Sequence, residues 1–278
     1  VWFVNQVADA IKPLYPDKYI GTFAYQYTRQ APKGIVPRDN VVIRLCSIEC
    51  CFAHGLEECE HNRPFIDDIK DWSEIAPNLY IWDYVVNYNQ YLAPFPNFQV
   101  LADNIRTFRK YNAIGIQEEA QYQTLGGEFS DMKSWVIAKL LWNPELDTEA
   151  LTSEFISNYY DAAAPYIQQY FDLCKGLVKP DTVMGIYINQ WNPLYKDAFI
   201  AEAKALLDKA VESVKDADET IRHRVDLVKL QIAYLRVMRN VEETAADGTR
   251  EWLGDFILKH DIRVNEWVKT EDFVKSLK

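Results

Sequence analysis

The sequence predicts a mixed α/β chain, the C-terminal part of a TIM (β/α)8 barrel with an α-helical domain appended to it. Three observations lead there. Short β-rich apolar runs alternate with helical patterns through residues 1–145. Those runs are nearly continuous, as in Val41-Val42-Ile43 and Leu79-Tyr80-Ile81-Trp82, which is expected of parallel strands covered on both faces. From Asp147 onward helical patterns follow one another with almost no strand signal, so residues 146–278 read as the helical domain.

The elements follow in order. Residues 1–11 form an amphipathic helix with no capping residue ahead of it, which reads as a chain entered midway. Strands are predicted at residues 19–25, 41–48, 79–86 and 113–118. Between them, Phe65, Ile66, Ile69, Trp72 and Ile75 mark one buried face of a helix, and Val100, Leu101, Ile105, Phe108 and Tyr111 mark another. A further helix at residues 130–141 has Ser130 and Asp131 placed to cap its start. Four strands joined by three right-handed crossovers are too few to close a barrel. They match strands five to eight, so the remainder of the barrel is expected upstream. In the helical part, residues 201–214 and 221–244 pair antiparallel across a turn at Asp216-Ala217-Asp218, and residues 252–278 pack back as one or two helices. A short strand is expected near residues 183–188.

Composition narrows the function. A net charge of −11 disfavours nucleic acid and anionic membranes, both of which need a cationic surface. No apolar run reaches the ~18 residues that a membrane-spanning helix needs. Any export signal would lie upstream of Val1. Seventeen Tyr and eight Trp suit a carbohydrate site, where flat rings with a polar tip stack on sugars, although rings also fill cores. There is no Gly-rich phosphate loop, no GxSxG elbow and no HExxH, so nucleotide, α/β-hydrolase and zincin readings lack support.

In a barrel the reactive groups sit where strands end. The strand ends here carry Tyr25, Gln26, Tyr27 and Arg29; Arg44, Ser47 and Glu49; Asp83, Asn87 and Tyr88; and Gln117, Glu118, Glu119 and Tyr122. Glycoside hydrolysis uses two carboxyl groups. Glu118 ends its strand and is expected to point into the bowl as the main catalytic group, with Glu119 turned the other way by alternation. Asp83 and Glu49 are the other catalytic candidates. Tyr25, Tyr27, Arg44, His54, Trp82, Glu119 and Tyr122 are the candidates for binding sugar. Arg44 within an apolar run needs its charge matched, by a structural acid, a catalytic acid or a sugar carboxylate. Cys46, Cys50, Cys51 and Cys59, with His54 and His61, fit no standard zinc spacing because adjacent Cys50 and Cys51 cannot both reach one ion without strain. Free thiols, a disulfide such as Cys51 with Cys59, and a bound metal remain open, with no metal site assigned.

Several stretches resemble a known bacterial family, domain of unknown function 4838. They are Gly21-Thr22-Phe23-Ala24-Tyr25, Asn40 through Cys46, Trp82-Asp83-Tyr84 with Pro94-Phe95-Pro96-Asn97, Gly115 through Gln123, and Ala138 through Pro144. The resemblance runs in order over about residues 1 to 175. It implies a glycoside-hydrolase-like barrel related to the hexosaminidase and α-glucuronidase barrels, in exported, multidomain proteins of polysaccharide-degrading bacteria, hence a periplasmic or cell-surface location. Glu118 falls on the acid of the family's Gly-x-x-Glu-Gln-Gly motif, with Glu119 and Ala120 where the family has Gln and Gly. Related barrels often carry a catalytic acid on strand four, upstream of this chain. The expected function is therefore a carbohydrate-active enzyme, a glycosidase needing no cofactor. The alternatives are a non-catalytic carbohydrate-binding or scaffold protein, and a barrel enzyme using metal at the Cys/His segment.

Overall fold

The computed structural model describes residues 1–239 and 243–277. It is a mixed α/β chain built on one four-stranded, wholly parallel sheet with eleven α-helices among the described residues. Helix α1 (Trp2–Ile11) buries Val4, Asn5 and Ala8. The strands β1 (Ile20–Ala24), β2 (Val41–Cys46), β3 (Leu79–Tyr84) and β4 (Ala113–Glu119) lie in chain order, each hydrogen-bonded to the next. Helices α2 (Arg63–Ile75) and α3 (Phe98–Lys110) make the crossovers from β2 to β3 and from β3 to β4. Between β1 and β2 there is no crossover helix; a single 3-10 turn, Gln26–Thr28, and irregular chain make the connection. Arg29 fixes that link, donating to Asp68 on α2 at 2.6 Å while its carbonyl accepts the indole N–H of Trp72.

The two faces of the sheet differ in chemistry. Ile43, Leu45, Leu79 and Ile81 share one face and are buried with Phe65, Ile69, Trp72, Ile105 and Phe108 of α2 and α3. The other face carries Phe23, Arg44, Tyr80 and Trp82 and stays partly open, with Phe23 50 % exposed. Gly115 is required on that face, since a Cβ there would overlap the Tyr80 ring laid across it.

Helix α4 (Ser130–Trp142) follows β4, entered through Phe129 in the left-handed region (φ 44°). Neither Ser130 nor Asp131 caps it, and Asp131 instead accepts the Tyr159 hydroxyl at 2.7 Å. Then come α5 (Thr148–Tyr159), capped by Asp147, and α6 (Ala164–Lys175). The antiparallel pair is α7 (Asp197–Ser213) and α8 (Glu219–Met238), with Asp218 capping α8 as the turn predicts. The expected helix over residues 221–244 crosses residues 240–242, which lie outside the described residues. Beyond them are α9 (Glu243–Ala246), α10 (Thr249–Lys259) and α11 (Thr270–Ser276). Residues 183–188 form no strand; Ile186 and Tyr187 lie in a turn. They alternate buried Met184, Ile186 and Ile188 with exposed Val183 and Tyr187; their carbonyls accept the backbone N–H groups of Phe52 and Tyr88 and the side-chain amides of Asn87 and Asn89, contacts that make no ladder. One buried apolar cluster runs from Val4 to Phe273, across both halves of the chain.

Candidate functional site

Strand parity decides which strand-end residues meet. Asp83 pairs in register with Glu118, and Tyr84 with Glu119. Successive residues point to opposite faces, so Glu118 and Asp83 join Ile81 and Ile116 on the helix-covered side. Glu119 joins Trp82 and Tyr84 on the open side. This reverses the expectation for Glu118 and Glu119, and the reason is parity: counted along each strand, the aliphatic partners of Glu118 are the core-facing ones.

On the covered side Asp83 is 3 % exposed and accepts the hydroxyl of fully buried Ser47. Burial raises its pKa to about 6 against that bond. Glu118 is pushed well above the usual carboxylate range, first by burial and then by the charge of Asp83, and its Oε2 is buried with no hydrogen-bond partner. Asp83, buried, and Glu118, half-buried with its Oε2 enclosed, thus lie side by side away from the open face.

On the open side the indole N–H of Trp82 donates to the Glu119 carboxylate, and the Tyr88 hydroxyl donates to the Glu119 carbonyl at 2.9 Å. Phenols surround this acid. Tyr25, Tyr84, Tyr88, Tyr91 and Tyr187 all titrate above the usual phenol range, mainly through burial, with the negative field of Glu119 adding to each. Such hydroxyls stay protonated and can donate. Edge contacts link Tyr84, Tyr88 and Tyr91 at 5.9 and 6.0 Å, and Phe23 meets Trp82 at 5.1 Å. The Cys46 thiol lies beside Tyr84, its pKa raised to about 11 chiefly by burial.

Arg44 stands deeper on the same face, its guanidinium 5.9 Å from the Phe23 ring centroid and 5.7 Å from that of Tyr80. Its Nε is buried without a hydrogen-bond partner, and no acid pairs with it among the described residues. The structural ion pair expected as one alternative for it is therefore not formed among the described residues. Glu49 pairs with Arg29 at 2.8 Å, which ties the loop after β2 to α2 through Asp68. Tyr27 is 97 % exposed and Tyr122 70 %, both on the rim. His54 is elsewhere, in a cavity of about 700 Å³ with Cys59, His61 and residues 178–183. All five cysteines are free thiols, four of them buried.

The structure thus brings Tyr25, Trp82 and Glu119 together, with Arg44 below them, and separates Glu118, Asp83 and His54 from them. Sequence reasoning gave no site role to Tyr84, Tyr91 or Tyr187. The signal for Tyr84 is its parity with Tyr80 and Trp82; nothing local marks Tyr187, which arrives from a distant segment. No curated protein and no solved structure matches the chain. The family model described as Domain of unknown function (DUF4838) matches residues 1–172, and the chain belongs to that family.

Proposed function

We propose that the protein is a glycoside hydrolase acting on a poly- or oligosaccharide, with Glu119 as the strand-end carboxylate at the reacting bond. In this reading β1 to β4 are strands five to eight of a (β/α)8 barrel, residues 1–145 are the barrel portion and residues 146–278 the helical domain. Two unpaired sheet edges and a partly open sheet face support an incomplete barrel. The observation that carries the function is a carboxylate at the strand ends, held by an indole N–H and ringed by protonated phenols, on a face lined with Phe23, Tyr80 and Trp82. Rings there can stack on sugar faces while hydroxyls bond sugar oxygens. No cofactor is needed for this chemistry.

Glu119→Gln and Glu118→Gln, assayed on aryl glycosides and polysaccharides, test the reading. Loss of a carboxyl that acts in the reaction lowers turnover by about 10²- to 10⁴-fold. We expect that loss at Glu119 alone, with sugar binding retained and Glu118→Gln within about threefold of wild type. The opposite pattern, or unchanged hydrolysis in Glu119→Gln, rejects the assignment.

A further inference from the structure

We infer that Tyr187 and Trp267 form a sugar-stacking platform beside Glu119, placed to hold a glycan chain several sugars long; its use as a substrate subsite rests on the glycosidase reading above. Tyr187 is 53 % exposed and Trp267 59 %, with ring centroids 6.1 Å apart and planes inclined by 32°. Each ring therefore keeps much of a flat face in solvent.

Two distant segments hold these rings outward, each anchored on both sides. Around Tyr187, the Ile186 carbonyl accepts the Tyr88 N–H at 2.9 Å and the Ile188 carbonyl accepts the Asn87 amide at 3.0 Å, and both isoleucines are buried. Around Trp267, the Asn265 side-chain oxygen accepts the N–H groups of Trp267 and Val268 at 3.0 and 2.8 Å. That second segment is tied to the chain after β4: the Arg263 N–H donates to Thr124 Oγ1 at 2.9 Å, and the Gln123 amide to the Glu266 carbonyl at 3.4 Å. A backbone fixed in this way leaves little to order when a ligand arrives. Tyr187 also packs on Tyr88 at 6.2 Å, and the Tyr88 hydroxyl donates to the Glu119 carbonyl at 2.9 Å. The platform thus begins one side chain away from the residue that bears the proposed reacting carboxylate.

The surroundings of the rings favour a glycan as the occupant. Their neighbours in sequence, Asn189, Asn265 and Glu266, are polar and not buried. The core of a protein-binding patch is instead apolar and depleted of charge. A sugar offers a C–H face to a flat ring and hydroxyls to amides and carboxylates, which is the mixture found here. A sugar stacked on Trp267 lies two ring contacts away from Tyr88 and Glu119, so it is not the sugar whose bond would be cleaved. A chain of several sugars is the ligand that occupies both places at once, and the distant contact adds binding without touching the reacting bond.

Glu119→Gln protein, titrated calorimetrically with soluble oligosaccharides of cellulose, xylan, mannan, chitin, starch and pectin, measures binding without turnover. We expect at least one of them to bind and shift tryptophan emission. Adding Trp267→Ala should remove most of that shift and raise Kd about tenfold, the worth of one lost ring contact. Trp267→Tyr, which keeps a ring, should bring Kd back to within about threefold. With Glu119 intact, Trp267→Ala should lower kcat/KM about tenfold on the bound oligosaccharide, through KM, and less than about threefold on an aryl glycoside of a single sugar. Unchanged binding in Trp267→Ala, equal losses on the two substrates, or no oligosaccharide bound at all overturns the platform, while turnover of aryl glycosides still upholds the glycosidase reading. Oligosaccharides that bind through Trp267 and are never cleaved support the platform as a glycan-binding surface and overturn the glycosidase reading.

Discussion

The buried acids on the covered face should make the protein lose stability as pH rises from mildly acidic to neutral. Asp83 is raised from 3.8 to about 6 by burial, the Ser47 hydroxyl and the Tyr84 backbone N–H opposing the shift. A carboxyl with a raised pKa holds its proton in the folded chain where the unfolded chain has released it. The stability it confers is therefore complete below the unfolded value and is lost as pH climbs through the folded one. Across 3.8 to about 6, at about 1.36 kcal/mol per pH unit, Asp83 alone accounts for on the order of 3 kcal/mol. About 2 kcal/mol of that falls between roughly pH 4.5 and 8. Glu118, raised in the same direction by burial and by Asp83, extends the loss toward higher pH.

Urea denaturation across that window measures the effect. Asp83→Asn cannot ionise, so its stability should decline less with rising pH than that of wild type, the two curves drawing together or crossing by about 2 kcal/mol. Glu118→Gln should flatten the profile too, because it removes a carboxyl whose ionisation is opposed by burial and by the charge of Asp83. Parallel curves for wild type and Asp83→Asn would refute the reasoning, since they would mean that Asp83 titrates alike in the folded and unfolded chains.

Three other outcomes follow from single contacts. Gly115→Ala drives a methyl group into the Tyr80 ring and should cost about 1–3 kcal/mol in urea denaturation, with a change in near-ultraviolet circular dichroism. Lys133→Met leaves Glu128 buried and unpaired, removing a 2.8 Å ion pair and a bond to the Val85 carbonyl, and should cost about 3–5 kcal/mol by the same measurement. Arg44→Met gives up only two ring contacts and should cost about 1 kcal/mol or less; a cost of several kcal/mol would reveal an ion pair there.

All four strands were legible because a covered parallel sheet demands apolar runs, and Val41–Cys46 and Leu79–Tyr84 supply them. The helix pair α7 and α8 was legible for a similar reason, its turn marked by Asp218 as a cap. The link from β1 to β2 was not, because the rule that parallel strands need a crossover does not say that it must be helical. Residues 183–188 carry the period-two burial of a strand, yet burial pattern does not reveal whether a neighbouring backbone runs alongside. Nor could local sequence show that Tyr187 packs against Tyr88, since long-range packing brings it there.

The adjacent acids Glu118 and Glu119 show how one residue of register separates structural from chemical roles. Aliphatic residues at Ile43, Leu45, Leu79, Ile81 and Ile116 mark the covered side, and Glu118 shares their parity; Arg44, Tyr80, Trp82 and Tyr84 mark the open side, and Glu119 shares theirs. A carboxyl sealed beside a second acid with one oxygen unpartnered favours its neutral form, which makes Glu118 a poor carboxylate near neutral pH. A carboxyl that accepts an indole N–H on a partly open face is placed to meet a ligand. The alternation of ring and aliphatic side chains on β3 therefore says more about which glutamate can do chemistry than does the position of either at the end of β4.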